Sequence, residues 1–150
     1  MAGILDWVSA CPRREISAGS LLMEQGKGGG QLWVLIAGEV EVLRDEVRVA
    51  RVAESGAVFG EMSVLLGGPC TASVRALKNC SFAEIGSAED FLAANPEASL
   101  HVARLLARRL DALNRYLIDV KTQYEGHDHL GMVDDVLDTL MNRQPRTAVR

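Results

Sequence analysis

Between Ile16 and about Ile85 the chain alternates short apolar runs with Gly and charged turns at a spacing of roughly ten residues, the texture of a β sandwich or roll. Leu32-Trp33-Val34-Leu35-Ile36 is an unbroken apolar strand. Beyond Gly38, Glu39-Val40-Glu41-Val42 alternates strictly, which predicts one buried and one wet face. Val47 to Val52 reads as the return strand after Arg44-Asp45. The texture changes at Asn95-Pro96-Glu97, where Asn is a good N-cap, Pro suits the first helical position and Glu suits the helix dipole. The segment up to about Tyr124 has no Gly or Pro and reads as one long helix.

Along that helix Ala103, Leu106, Leu110, Leu113, Leu117, Val120 and Tyr124 recur at alternating steps of three and four, the a/d seam of a coiled coil. Such a seam needs a cover. One reading packs it on the β roll of the same chain; the other makes it the seam of a homodimer, flanked by Arg104, Arg108, Asp111, Arg115 and Asp119. Gly126 to His129 breaks the helix. Leu130, Val133, Val136, Leu137, Leu140 and Met141 then form a second amphipathic helix with Asp134, Asp135 and Asp138 on its surface. It is short, and is expected to dock on the roll, a dimer mate or a partner protein. From Gln144 on, a frayed tail is expected. The chain thus divides into an N-terminal segment and roll (1–95), a lid or dimerisation helix (96–125) and a short helix with tail (126–150). The fold class is α+β, an antiparallel β-roll of the double-stranded β-helix or jelly-roll type with a long C-terminal helix.

Composition narrows the function. With 150 residues, 48% of them hydrophobic, the chain suits one domain with a real core. Its net charge of −4 argues against a general polyanion binder. No apolar run approaches the ~18 residues that span a bilayer, and no signal-peptide pattern opens the chain, so it reads as a soluble cytoplasmic protein without membrane contact. Cys11, Cys70 and Cys80 make neither a disulfide framework nor a metal set, and read as small buried thiols. His127 and His129 lack a third ligand, His101 falls on the long helix, and none lies in the β region. A metalloenzyme is therefore not expected, nor any bound metal.

The chemistry concentrates in residues 58–76. A Gly60-Glu61 step opens a short apolar helix, Gly67-Gly68-Pro69 closes it, and a strand of small hydroxylic residues follows. The amides at the helix start lack intrahelical acceptors, which makes a ready anion site. A carboxylate at the same place suits a ligand that carries a hydroxyl beside its phosphate, as a ribose 2′-OH does. The Gly28-Gly29-Gly30 tract leads into a strand and lacks a following Lys-Ser/Thr pair, so it reads as a flexible turn and not as a phosphate loop.

Phe59-Gly60-Glu61-Met62-Ser63 and Pro69-Cys70-Thr71-Ala72-Ser73-Val74 resemble the two halves of the phosphate-binding cassette of the cyclic nucleotide-binding domain family. That family includes catabolite-activator-type regulators, cyclic-nucleotide-dependent kinases and cyclic-nucleotide-gated channels. The resemblance extends upstream through Gly19 to Gly26 and Leu32 to Val40, and covers about residues 12 to 124. It implies cyclic AMP or cyclic GMP as ligand, held by the amides after Gly60, by Glu61 on the ribose 2′-OH, and by Thr71 on phosphate or guanine. Phe59, Met62, Ser63, Cys70, Ala72 and Ser73 complete the implied site, and the long helix would close over the base and form a dimer seam.

Cys70 departs from the pattern, standing where the family carries its phosphate arginine. A thiol cannot replace a bidentate guanidinium, and losing such bonds costs about 1.5–3 kcal/mol, roughly 10- to 150-fold in affinity. Its expected state is the protonated thiol; an electropositive pocket would instead make it reactive. Arg75 lies too far along its strand to substitute. Two readings follow: a stand-alone cyclic-nucleotide sensor weakened at Cys70, or a degenerate fold acting as a dimeric scaffold. The stretch from Glu125 to Arg150 is shorter than a winged helix-turn-helix, and its acidic helix has the wrong sign for DNA recognition, so no direct DNA binding is expected.

Overall fold

The computed structural model describes residues 3–123 and 130–142. Among them, eight strands form two antiparallel four-stranded sheets. β1 (Arg13–Ile16), β8 (Cys80–Ile85), β3 (Leu32–Ala37) and β6 (Val58–Phe59) make one sheet in that spatial order; β2 (Leu21–Met23), β7 (Ser73–Ala76), β4 (Val40–Arg44) and β5 (Val47–Val52) make the other. The helices are α1 (Ile4–Trp7), α2 (Glu61–Leu66), α3 (Ala88–Ala94), α4 (Pro96–Gln123) and α5 (Leu130–Asn142). This is the expected α+β roll. Its core joins both sheets through Trp33, Leu35, Phe59, Phe82, Val40 and Val74. Leu32 to Leu35 are all buried, because β3 lies between β8 and β6 and is covered on both faces.

Chain contacts divide the protein into residues 1–102 and 103–150. In the first unit the opening residues of α4 bury Ala98 and Val102, and Trp7 meets His101 edge-to-face at 5.8 Å. In the second, Arg115 pairs with Asp111 at 3.0 Å along α4, and Lys121 pairs with Asp134 of α5. Leu110 and Leu113 are 41% and 45% exposed, Ala103 is exposed, and Leu106, Leu117 and Val120 are half-buried. On α5, Val136 is exposed and Leu137 and Leu140 are half-buried. Tyr124, His127, His129 and the tail fall outside the described residues, as do the side chains of Leu130, Val133 and Met141. No helix of the described residues is long and apolar enough to cross a membrane.

Several expectations change. Asn95 does not cap α4 with its side chain in the expected way: its amide nitrogen donates to the Phe91 carbonyl at 2.7 Å, closing α3, while its backbone carbonyl accepts from Ser99. The helix α3 itself lies outside the elements expected from the sequence pattern. Glu41, expected on a wet face, is 7% exposed. It sits on the central strand β4 between β5 and β7, where Arg48 (2.7 Å) and Arg75 (3.4 Å) close over its carboxylate. The hydroxylic strand starts only at Ser73, with Thr71 and Ala72 in the turn before it. Cys70 and Cys80 are buried as expected, but Cys11 is half-buried.

Candidate functional site

β6 delivers the chain to α2. Val58 and Phe59 pair with Val34 and Trp33, and the Phe59 ring packs edge-to-face on Phe82 with centroids 6.1 Å apart. Phe59 is therefore a core residue that fixes where the helix begins. Gly60 then takes φ 89° and ψ −1°, the left-handed conformation that glycine adopts without a steric penalty. It also lies against β3's entry: a Cβ here would meet the Gln31 carbonyl oxygen at 2.3 Å. Both constraints require glycine, and together they turn the chain sharply into the first turn of α2.

That first turn carries Glu61, Met62 and Ser63. Glu61 is 4% exposed and Ser63 3%, whereas Met62 faces outward at 38%. A carboxylate buried at a helix start is favoured by the helix dipole and is costly to leave without polar company. The Ser63 hydroxyl donates to the Gly60 carbonyl at 3.0 Å and accepts from the Gly30 amide at 3.3 Å. α2 ends at Gly67, left-handed at φ 71°, whose amide donates to the Ser63 carbonyl at 2.9 Å.

The turn at residues 26–30 binds both halves of the segment. Gly30 holds Ser63, and Gly29 packs so closely on the Gly68 carbonyl that a Cβ would come within 2.3 Å of its oxygen. Further along, the Cys70 amide donates to the Lys27 carbonyl at 3.1 Å and the Cys70 carbonyl accepts from the Gly26 amide at 2.8 Å. Gln25 donates its amide to the Ser73 hydroxyl at 2.9 Å. The glycine tract is thus a specific packing element and not merely a flexible turn. Its composition alone carried no sign of this; three successive glycines fit a mobile loop and a close backbone approach equally well.

Cys70 is 9% exposed and packs in the core with Met23, Trp33 and Val74. Burial pushes its thiol pKa up, which favours the protonated form. Thr71, Ala72 and Ser73 are half-buried. Several hollows flank the turn. A cleft of about 140 Å³ is lined by Met23, Glu24, Lys27, Trp33 and Cys70, among others. A second, of about 320 Å³, lies between the glycine tract and the Ser63, Val64 and Gly67 side of α2, with Glu89 of α3 beside it. Among the described residues, no group of three or more His, Cys, Asp or Glu side chains is placed to hold a metal ion.

Residues 13–94 match the family model of the cyclic nucleotide-binding domain, more than half of the chain. The chain belongs to that family. It is 33% identical over 76 residues to cGMP-dependent protein kinase 2 of Mus musculus, covering 51% of this chain and 10% of the kinase. It is 27% identical over 108 residues to a CRP-like cAMP-activated global transcriptional regulator of Mycobacterium tuberculosis, covering 68% of this chain and 48% of the regulator. The catabolite activator protein of Thermus thermophilus superposes with a TM-score of 0.68 at 27% identity, over 77% of this chain and 57% of that one. The chain spans less than half the length of these two curated relatives.

Proposed function

We propose that this chain is a cyclic-nucleotide sensor that acts by binding and not by catalysis, taking cyclic AMP or cyclic GMP on residues 59–63 and 70–73. The observation that carries the reading is the buried Glu61 directly behind a left-handed Gly60, inside a segment matched by the family model. In this reading the α2 amides, which lack intrahelical acceptors, receive the cyclic phosphate. The Glu61 carboxylate accepts a hydrogen bond from the ribose 2′-OH, and the Thr71 hydroxyl donates to phosphate or to a guanine. Phe59 and Ser63 hold the helix start in place; Met62, Ala72 and Ser73 border the site. The relatives named for cAMP and for cGMP support the ligand class and leave both nucleotides in play.

The output would run through α4. Its seam at Ala103, Leu106, Leu110, Leu113, Leu117 and Val120 would join two copies of the chain, and the exposure of Leu110 and Leu113 supports that pairing. Residues 1–95 would then be the sensing roll, 96–125 the lid and dimerisation helix, and 126–150 a segment offered to a partner protein.

A second reading, a dimeric scaffold that no longer senses nucleotide, draws on the place of Cys70 in the core, where it presents no cation. Calorimetric titration with cyclic AMP and cyclic GMP separates the two. Saturable heat in the wild type, tightened by Cys70→Arg, supports the sensor. No heat at millimolar nucleotide in either protein supports the scaffold.

A further inference from the structure

The charge missing at position 70 has a neighbour able to supply it. Lys27 and Cys70 are held side by side by their backbones: the Cys70 amide donates to the Lys27 carbonyl, and the Cys70 carbonyl accepts from Gly26, the residue before Lys27. Both residues line the same cleft of about 140 Å³, and Lys27 provides a cation in that lining. We infer that Lys27 is a phosphate-recognition residue of this protein, entering from the 26–30 turn in place of an arginine on the cassette. The inference rests on the nucleotide-site reading above.

The chemistry is suited to the task. A lysine ammonium is a compact charge on a flexible four-carbon stem, so it can reach an anion from a neighbouring backbone position. Lys27 pairs with Glu24 at 3.2 Å, in a contact that leaves its side chain 72% exposed. Exposed pairs of this kind contribute little, so an arriving phosphate can draw the ammonium away from Glu24. Glu24 also lines the cleft, and its carboxylate opposes an anion there. The same exposure means that altering Lys27 leaves the core untouched.

The test titrates cyclic AMP and cyclic GMP into the full chain carrying Lys27→Met, Lys27→Arg, Cys70→Arg, or Cys70→Arg with Lys27→Met. Lys27→Met is expected to weaken binding about tenfold or more, the loss typical of one charge-assisted hydrogen bond, with an unchanged thermal midpoint. Lys27→Arg should keep most of the affinity. In the Cys70→Arg background the Lys27→Met loss should shrink, because the arginine then meets the same phosphate. Equal affinity in wild type and Lys27→Met overturns the role of Lys27 while leaving the nucleotide site standing. A loss in Lys27→Met that Lys27→Arg does not restore, or that persists undiminished beside Cys70→Arg, also overturns it. If the wild type takes up no nucleotide, the site reading fails and this inference with it.

Discussion

Gly60 stands directly against the Gln31 carbonyl, with no room for a Cβ between them, since one would lie 2.3 Å from the oxygen. The contact ties the start of α2 to the entry of β3, so the position of Glu61 is fixed by a backbone-to-backbone approach. Gly60→Ala meets both this clash and the left-handed φ of 89°. A loss of about 1–3 kcal/mol of stability is expected from the backbone alone. Urea denaturation checks it; an unchanged midpoint would show that the turn relaxes freely.

Glu41 shows the opposite arrangement, a buried carboxylate with two half-exposed arginines over it. Arg48→Ala or Arg75→Ala alone leaves one partner, and each should cost less than about 1 kcal/mol. Removing both strands the charge, so the double variant should lose clearly more than the sum. Adding Glu41→Gln to the double variant should recover stability. Additive losses in urea unfolding would contradict the network.

Burial of Cys70 makes a chemical prediction. Its thiol resists ionisation in the folded state, so iodoacetamide at neutral pH should modify half-buried Cys11 first and leave Cys70 slow until the chain unfolds. Because the folded pKa is raised, the unfolded chain loses this proton first as pH rises. Stability should therefore fall once pH passes the unfolded thiol's pKa, and fall less steeply in Cys70→Ala. Native-state alkylation of Cys70 at its rate in urea would refute the burial argument.

The seam on α4 predicts an association state. Light scattering of the wild type should give a dimer mass, and Leu110→Asp, which places a charge on an a/d position, should give a monomer. A wild-type monomer unaffected by the substitution would remove the seam from the account.

Much of the roll was readable because its signals were strong and local. Five successive apolar residues from Leu32 to Ile36 have few alternatives to a buried strand, and a helix that opens on Pro96 and has no Gly or further Pro up to Gln123 is equally plain. The cassette was readable through residue identity: Gly60 and Gly67 occur where the backbone turns left-handed. Other features depended on tertiary neighbours that a linear pattern does not hold. Glu41 alternates like a surface residue, and only the flanking strands carrying Arg48 and Arg75 make it buried. Asn95 has the chemistry of a helix cap, but the preceding α3 offers its side chain the Phe91 carbonyl. α3 itself is seven residues long, and its first-turn Glu89 and Asp90 after Ser87 were its one sequence signal. Apart from the Ser63 hydroxyl that accepts from Gly30, the link between the 26–30 turn and the cassette is made by backbone groups, which side-chain identity does not encode.

The most direct test of the central claim is an amide NMR titration of the full chain with cyclic AMP and, separately, cyclic GMP. A nucleotide bound on the cassette should shift the amides of Gly60 through Ser63 and of Thr71 through Ser73, saturably, with at least one of the two ligands. Unmoved amides at millimolar concentrations of both nucleotides, or shifts confined to other parts of the chain, would contradict it.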